Sequence, residues 1–135
     1  MKIAFFLTPK EKVTFLFLNS TMREALELME SKSYTAVPII DEKGKYAGTL
    51  TEGDLLWKMK NTPDLTFANT TKVILQDVPR RVVNSPVRIN AEMEDLLSLA
   101  VQQNFVPVID DNDNFIGIIK RSDIIGHFAN LKATK

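Results

Sequence analysis

One half of this sequence repeats the other. The segment VPIIDEKGKYAGTLTEGDLL, which begins at Val37, aligns without a gap with VPVIDDNDNFIGIIKRSDII, which begins at Val106. Proline, aspartate and glycine recur at matching positions, whereas Thr51 of the first copy becomes Lys120 in the second. Because chance rarely produces such an alignment, the chain is a duplication, and each copy is expected to fold into the same supersecondary unit.

Each copy begins with the signals of a strand and a helix. The β-branched and aromatic run Val13–Leu18 predicts a strand in the first copy, and Arg81–Val83 predicts a shorter strand in the second. Thr21 with Glu24 forms a capping-box pattern at the start of the first helix, and Asn90 offers a weaker cap in the second copy. A strand therefore leads into a helix in both copies.

A pair of strands and a second helix complete each copy. The turn sequences DEKG and DDNDN tolerate tight turns, so both strand pairs are predicted to be hairpins. DDNDN also resembles the beginning of a calcium loop, but the glycine and glutamate of such a loop are missing, so we interpret it as a turn. The predicted strands are residues 36–40, 46–50, 106–109 and 115–119, and the final helices begin near Glu52 and Arg121.

The size of one copy predicts how the two combine. A domain of about 60 residues buries only about 60% of the surface that its unfolded chain exposes, so the copies are expected to share a core. The predicted fold class is α/β, of the α+β type, with two β-α-β-β-α repeats packed with pseudo-twofold symmetry around a common cleft. We place the first repeat at residues 1–62, a polar linker at 63–75 and the second repeat at 76–135, as one integrated module.

The composition excludes several function classes. The chain has 17 basic and 17 acidic residues and no cysteine, which predicts neither a nucleic-acid nor a membrane partner, no disulfide and a cytoplasmic location. The short apolar run near the amino terminus stops at Thr8-Pro9, so we expect no signal peptide. Since no nucleophile–base pair, metal-ligand spacing or Walker-type loop is present, we expect no enzymatic activity, no metal and no cofactor.

The element order, the VP strands and the pattern Gly-x-x-Thr-x-x-Asp resemble a tandem pair of cystathionine β-synthase (CBS) domains, often called a Bateman module. The resemblance covers nearly the whole chain. It implies a stand-alone regulatory protein of the bacterial type, a homodimer that binds AMP, ADP, ATP or another adenine nucleotide in the cleft between the repeats and signals to a partner protein. The segments DVPRR and TAVPIID also resemble CBS proteins that bind cyclic di-AMP.

By this resemblance, the motif aspartates and their neighbours form the nucleotide site. Asp54 would bind ribose and Thr51 phosphate, although the same two residues also form a plain helix-capping pattern. Lys120 would either reach a phosphate or mark a weak or empty second site. Asp123 would bind ribose or merely offset the helix dipole. The strand residues predicted to line the site with them are Thr35, Ala36, Val37 and Pro38 in the first copy and Phe105, Val106 and Pro107 in the second.

Basic residues precede the first strand of each copy. In the family such segments pass close to the ligand phosphates, so Lys10, Arg80 and Arg81 are candidates for neutralising them, unless the two arginines are ordinary surface residues. Adjacent strand residues point to opposite faces, so only one of the two arginines is expected to face the cleft.

Two apolar stripes and one histidine remain. The stripes Leu56, Trp57 and Met59, and Ile124, Ile125 and Phe128, belong either to the core or to a dimer interface. His127 is expected to be a surface or interface residue near a helix end. The alternative function is a dimeric interaction scaffold whose nucleotide sites have decayed.

Overall fold

The computed structural model describes residues 1–81 and 84–133. The chain forms two compact units, which we name by the repeat that each contains. The first-copy unit comprises Thr14–Val83, and the second-copy unit comprises Met1–Val13 together with Asn84–Lys135. The first thirteen residues therefore belong with the second copy, although they are contiguous in sequence with the first.

Seven strands and four α-helices lie in the described ranges. The strands are β1 (Thr8–Pro9), β2 (Leu16–Phe17), β3 (Ala36–Ile40), β4 (Tyr46–Thr51), β5 (Val87–Arg88), β6 (Phe105–Ile109) and β7 (Phe115–Lys120). The α-helices are α1 (Met22–Lys32), α2 (Glu52–Asn61), α3 (Leu97–Ala100) and α4 (Arg121–Ala133). Short 3-10 helices lie at Ile3–Phe6, Lys10–Lys12, Ala68–Lys72, Leu75–Asp77 and Met93–Leu96.

Both units repeat the same sheet. In the first-copy unit β2 pairs in parallel with β3, and β3 pairs antiparallel with β4. In the second-copy unit β5, β6 and β7 are arranged in the same way. The α/β class, the two β-α-β-β-α copies and both predicted hairpins are confirmed.

The glycine of each hairpin stands beside a β-bulge. Ile39 lies opposite Gly48 but Ile40 lies opposite Tyr46, so one additional residue separates these two partners on β4. The register between β6 and β7 shifts at the equivalent place, before Gly117. Gly48 has φ +133° and Gly117 has φ +156°, a conformation that side-chain-bearing residues rarely adopt. The shared glycine is therefore a requirement of the bulged hairpin.

The segment before each repeat lies on the hairpin of the other repeat. β1, which precedes the first copy, pairs antiparallel with β7 of the second, with Pro9 opposite Gly117. The equivalent residues before the second copy, Val78–Arg81, belong to the first-copy unit, where the Arg80 side chain lies against Gly48. We call these two stretches the lead-in segments.

Each unit has its own apolar core. In the first-copy unit the core contains one face of α1 and the buried strand β3. The predicted capping box starts α1, because the Thr21 side chain accepts from the Glu24 N–H and the Glu24 carboxylate accepts from the Thr21 N–H. The other core holds Ile3 together with residues from the second copy, so the amino-terminal segment contributes to packing as well as to the sheet.

Three local predictions need correction or fall outside the structure. The strand expected at Val13–Leu18 is only two residues long, because β2 meets β3 only at Leu16 and Phe17. Asn90 does not cap a helix: the helical segment begins after Glu92, whose N–H donates to the Asp95 carboxylate at 3.0 Å. The strand predicted at Arg81–Val83 falls on residues 82 and 83, which lie outside the described residues.

Candidate functional site

The first-copy motif is built as a capping box on α2. The Asp54 N–H donates to the Thr51 hydroxyl at 3.2 Å, and the Asp54 Oδ2 accepts from the Thr51 N–H at 2.9 Å. Thr51 and Asp54 therefore form the helix cap that their sequence pattern allows. Capping fixes both side chains at the positive end of the helix dipole, where N–H groups attract anions.

Asp54 also holds the lead-in segment. Its second carboxylate oxygen, Oδ1, accepts from the Arg81 N–H at 3.0 Å, and the residue is only 2% exposed. A carboxylate oxygen has more than one lone pair, so these two N–H groups leave acceptor capacity on Asp54. The aspartate therefore joins the start of α2 to the segment that carries the two arginines.

The two arginines diverge from this attachment point. The Arg80 Nη1 donates to the Leu75 carbonyl at 3.4 Å, and its Nε lies 2.9 Å from the position that a Cβ on Gly48 would occupy. The Arg81 guanidinium instead lies 5.0 Å from the centre of the Trp57 ring. Because consecutive side chains point in different directions, the pair delivers one positive charge to the hairpin and one to the face of α2.

Tyr46 borders the Arg80 side of the motif. Its hydroxyl is 2.7 Å from the Thr49 hydroxyl. Burial raises the pKa of Tyr46 to about 12, although the hydrogen bond with Thr49 and the positive charge of Arg80 act in the opposite direction. The phenol is therefore neutral at physiological pH and offers a hydroxyl beside the guanidinium.

The predicted residues of β3 fall partly in the core. Val37 is fully buried, and Pro38 is buried beside it. Thr35 is exposed just before the strand, and its carbonyl accepts from the Glu52 N–H at 3.0 Å. Ala36 lies opposite Thr51 in the hairpin. Thr35 and Ala36 are therefore next to the capping box, whereas the Val37 side chain serves packing.

The second-copy motif differs in its side chains. Lys120 is exposed at the end of β7 and immediately precedes α4. Asp123 is half-buried, and its carboxylate makes no hydrogen bond or ion pair with the residues that the structure describes. A Cβ at Gly117 would collide with the backbone carbonyl oxygen of Thr8. Backbone atoms therefore cover Gly117, whereas the Arg80 side chain covers Gly48.

The other second-copy candidates surround this hairpin. Phe105, Val106 and Pro107 are all buried. Lys10 follows β1, and so belongs to the same unit as Lys120. The predicted residues therefore form two groups, one in each unit: Thr35, Ala36, Val37, Pro38, Thr51, Asp54, Arg80 and Arg81 in the first, and Lys10, Phe105, Val106, Pro107, Lys120 and Asp123 in the second. Their role in binding a nucleotide stays a prediction.

The residues of the first apolar stripe lie in different environments, and His127 packs against an aromatic ring. Leu56 and Met59 line an open groove between α1 and α2, whereas Trp57 lies beside Arg81. The His127 ring packs edge-to-face against Phe6, with 5.3 Å between ring centroids, and its Nε2 is buried with no hydrogen-bond partner in the described part of the chain. The ring is therefore half-buried within the second-copy unit, and the expectation that His127 is a surface or interface residue stays a prediction.

Sequence reasoning missed the polar residues that extend the Asp54 site along α2. Lys58 and Asn61 line a small cavity with Asp54, Trp57 and Arg81. The signal was present, because positions 54, 58 and 61 have the spacing of one helical face. The sequence alone did not identify this helical face as part of a site, because Pro79–Arg81, which completes the cavity, is distant along the chain.

Two bulged hairpins, each followed by a helix with an aspartate in its first turn, define a tandem pair of β-α-β-β-α repeats. The chain belongs to the CBS domain family, whose sequence model matches residues 7–61 and again residues 75–130. The family resemblance inferred from the repeat is confirmed.

Two relatives agree with this assignment. The chloroplast CBS domain-containing protein CBSX2 of Arabidopsis thaliana is 25% identical over 146 residues, a match that covers 89% of this chain and 60% of the relative. Cyclic di-AMP receptor B of Bacillus subtilis is 22% identical, and the match covers 89% of this chain and 81% of the receptor. The chain thus spans about three fifths of the length of CBSX2.

Solved structures share the fold. The crystal structure of CbpB in complex with c-di-AMP matches with a TM-score of 0.85 at 24% identity, covering 99% of this chain and 88% of CbpB. The structure of CBSX2 in complex with AMP matches with a TM-score of 0.75 at 25% identity, covering 97% of this chain and 98% of that one. This chain is therefore a CBS-pair protein related to nucleotide-binding regulators.

The described residues were also compared with the requirements of a metal site and of a membrane span. Within residues 1–81 and 84–133, His, Asp and Glu side chains form no group of three or more that could hold a metal ion. None of the helices in these ranges combines the length and apolarity needed to traverse a bilayer. The cytoplasmic location stays a prediction.

Proposed function

We propose that this chain binds an adenine nucleotide at the Gly48–Asp54 motif and acts as a regulatory module for a partner protein, without catalysing a reaction. The observation that carries the proposal is the bond from the Arg81 N–H to Asp54. It ties a segment with two arginines to the helix start that bears Thr51. A ribose acceptor and phosphate-binding cations therefore lie together in one compact unit.

The chemistry of the first-copy group supports a nucleotide. Asp54 retains lone pairs for ribose hydroxyls, and the Thr51 hydroxyl and Arg80 guanidinium suit phosphate oxygens. Ala36 and Thr35 supply backbone and small side chains beside them. The structures of CBSX2 and CbpB described above are complexes with AMP and with c-di-AMP. AMP, ADP, ATP and cyclic di-AMP are therefore the ligands to test.

Calorimetric titration with these four compounds tests the proposal. We expect at least one to bind, and Arg80→Gln to weaken that binding about tenfold or more, because a charge-assisted hydrogen bond contributes roughly 1.5–3 kcal/mol. Asp123→Asn in the second copy is the matched control and should change the affinity much less. Absence of binding by all four compounds to the folded protein would refute the proposal.

A homodimer is the assembly that we propose for this module. The groove between α1 and α2 has a volume of about 910 Å³ and is bordered by Leu56, which is 60% exposed. Ile125, its equivalent on α4, is 56% exposed. Apolar patches repeated at equivalent positions in both units favour a second copy of the chain as the occupant.

Light scattering tests this assembly. We expect a dimer for the unmodified chain and a monomer for the variant that carries both Leu56→Asp and Ile125→Asp. Phe5→Asp is the control, because Phe5 is 79% exposed but lies outside both helices. A monomeric unmodified chain would contradict the dimer.

The alternative function is a dimeric scaffold with decayed sites. It is favoured by one observation: both Asp54 oxygens already accept backbone N–H groups. A stable dimer that binds none of the four nucleotides would support this alternative.

A further inference from the structure

A small cavity lies beside Asp54, between α2 and the lead-in segment of the second copy. Its volume is about 240 Å³, and Trp57, Lys58, Asn61, Thr62 and Arg81 line it together with Asp54. We call it the α2 pocket. All of these residues belong to the first-copy unit.

The α2 pocket carries an excess of positive charge. Lys58 and Arg81 supply two cations, and in the described part of the chain neither has a carboxylate within 4.0 Å. Asp54 supplies one negative charge, but it is 2% exposed and already accepts two backbone N–H groups. The accessible lining is therefore positive, and its charge is not neutralised by a neighbouring side chain.

Neutral donors complete the lining. The Asn61 amide and the Thr62 hydroxyl make no side-chain hydrogen bond within residues 1–81 and 84–133. The four polar groups therefore comprise an ammonium, a guanidinium, an amide and a hydroxyl, all able to donate to an anion. Arg81 is held in place at its backbone by Asp54 and lies 5.0 Å from the Trp57 ring.

The size of the α2 pocket selects among anions. Pockets that enclose whole drug-sized ligands measure roughly 300–1,000 Å³, so 240 Å³ suits a fragment and not a complete nucleotide. Two cations match the charge of a dianion, and a fork-shaped guanidinium with a point-charge ammonium is a common phosphate-binding combination.

We propose that the α2 pocket binds a phosphate group, with Lys58 and Arg81 as its charge partners and Asn61 and Thr62 as additional donors. The phosphate belongs either to a nucleotide whose sugar contacts Asp54 or to a free phosphate compound. The first case rests on the proposed nucleotide function. Binding of free phosphate would be a property of this unit that requires no adenosine.

The single tryptophan of the chain reports on the α2 pocket directly, because Trp57 is part of its lining. The experiment is a fluorescence titration of the full chain with sodium phosphate, pyrophosphate, AMP and adenosine, against sodium chloride at matched ionic strength. We expect a saturable change with at least one phosphate-bearing compound and none with chloride. We also expect that compound to raise the unfolding temperature of the unmodified chain.

Variants separate a site from general charge attraction. Lys58→Gln and Arg81→Gln should each weaken phosphate binding about tenfold or more, because each removes a charge-assisted contact. Lys60→Gln is the matched control, since Lys60 is an exposed lysine on α2 outside the lining. Each variant must show the unfolding temperature of the unmodified chain in chloride, so that lost binding is not lost folding.

The arms of the titration identify the source of the phosphate. If AMP binds far more tightly than inorganic phosphate, and Lys58→Gln weakens AMP but not adenosine, the phosphate is that of a nucleotide. Comparable binding of inorganic phosphate or pyrophosphate identifies a free phosphate compound. Either result supports the α2 pocket as a phosphate site.

Two results would overturn the inference. One is the absence of a saturable change with every phosphate-bearing compound, and the other is an equal response in Lys58→Gln and Lys60→Gln. If AMP binds by calorimetry while Lys58→Gln leaves its affinity unchanged, the α2 pocket is not a phosphate site, and the proposed nucleotide function still stands.

Discussion

The Gly48–Asp54 and Gly117–Asp123 motifs share a backbone but differ in what covers them. Both glycines stand beside a bulge and have positive φ. The Arg80 side chain lies over Gly48, whereas the backbone of Thr8 and Pro9 lies over Gly117. A flexible charged side chain can move to admit a ligand, but a paired strand cannot do so without breaking β1 from β7.

The aspartates differ in the same way. Asp54 is buried and accepts two backbone N–H groups, whereas Asp123 is half-buried and has no such bond among the described residues. Both copies therefore contain the bulged hairpin, but only the first has the capped aspartate beside an arginine-bearing segment.

Substitution of the two hairpin glycines is expected to give the largest difference in the free energy of unfolding between the two copies. Gly117→Ala should lower the free energy of unfolding by about 3–5 kcal/mol, because strain at positive φ is added to a collision with backbone. Gly48→Ala should cost about 1–3 kcal/mol, since the Arg80 side chain can move aside. Urea denaturation measures both.

Gly126→Ala is the control for these two variants. Gly126 lies within α4, and a Cβ added to it would meet no neighbouring atom within 4 Å, so alanine should stabilise the chain by about 0.5–1 kcal/mol. Equal losses for Gly48→Ala and Gly117→Ala would show that the two covers are equally rigid.

The aspartates give the next largest difference. Asp54→Ala leaves the Thr51 and Arg81 N–H groups without their acceptor and should cost about 2–3 kcal/mol. Asp123→Ala should cost about 0.5 kcal/mol, because only its interaction with the helix dipole is lost. The measurement is a denaturation curve for each variant, compared with that of the unmodified chain. A cost above that of Asp54→Ala for Asp123→Ala would reverse the comparison.

Lys120→Thr should make the second motif more like the first. A threonine hydroxyl can accept from the Asp123 N–H, whereas lysine is only a donor and is unfavourable at the positive end of α4. We expect a gain of about 0.5–1 kcal/mol in the free energy of unfolding. The Asp123 amide should also become more protected from hydrogen exchange, and no change in either quantity would argue against a capping role at this position.

Tyr46, whose equivalent in the second copy is Phe115, gives a difference that appears only at high pH. Its pKa is raised to about 12 in the folded protein, mainly by burial, against about 10 in the unfolded chain. The folded state therefore holds the phenol proton more tightly, so its contribution is complete below pH 10 and is lost as the pH rises toward 12.

Comparison with Tyr46→Phe tests this assignment. The unmodified chain should lose more stability than the variant between pH 10 and 12, and one phenol should ionise near pH 12 in an absorbance titration. A Tyr46 phenol that titrates near pH 10, with no difference in pH-dependent stability between the two proteins, would contradict its burial.

The sequence was most informative where a local rule decides the structure. Thr51 with Asp54 and Thr21 with Glu24 could be predicted as caps, because both partners lie within one helical turn. The hairpins could be predicted because their turn residues and the short apolar runs beside them are local signals. The sequence also showed that Gly48 and Gly117 occupy equivalent positions in the two copies. The β-bulge that requires a glycine there could be recognised only from the pairing with the neighbouring strand.

The remainder depended on contacts between distant residues. That Asp54 binds the Arg81 N–H, 27 residues away, follows from the exchange of lead-in segments and from no local pattern. Lys58 was overlooked for the same reason, since a lysine on a helix is ordinarily solvated. The cap formed by Glu92 and Asp95 at the start of Met93–Leu96 was missed because Asn90 is a stronger N-cap than Glu92 by residue type alone.

The exchange of lead-in segments also orders events during synthesis. Residues 14–81 lie in one continuous stretch, so the first-copy unit can fold as soon as they have left the ribosome. β1 is made before any of them, yet its partner β7 is translated more than a hundred residues later. β1 therefore lacks its strand partner until β7 has been synthesised.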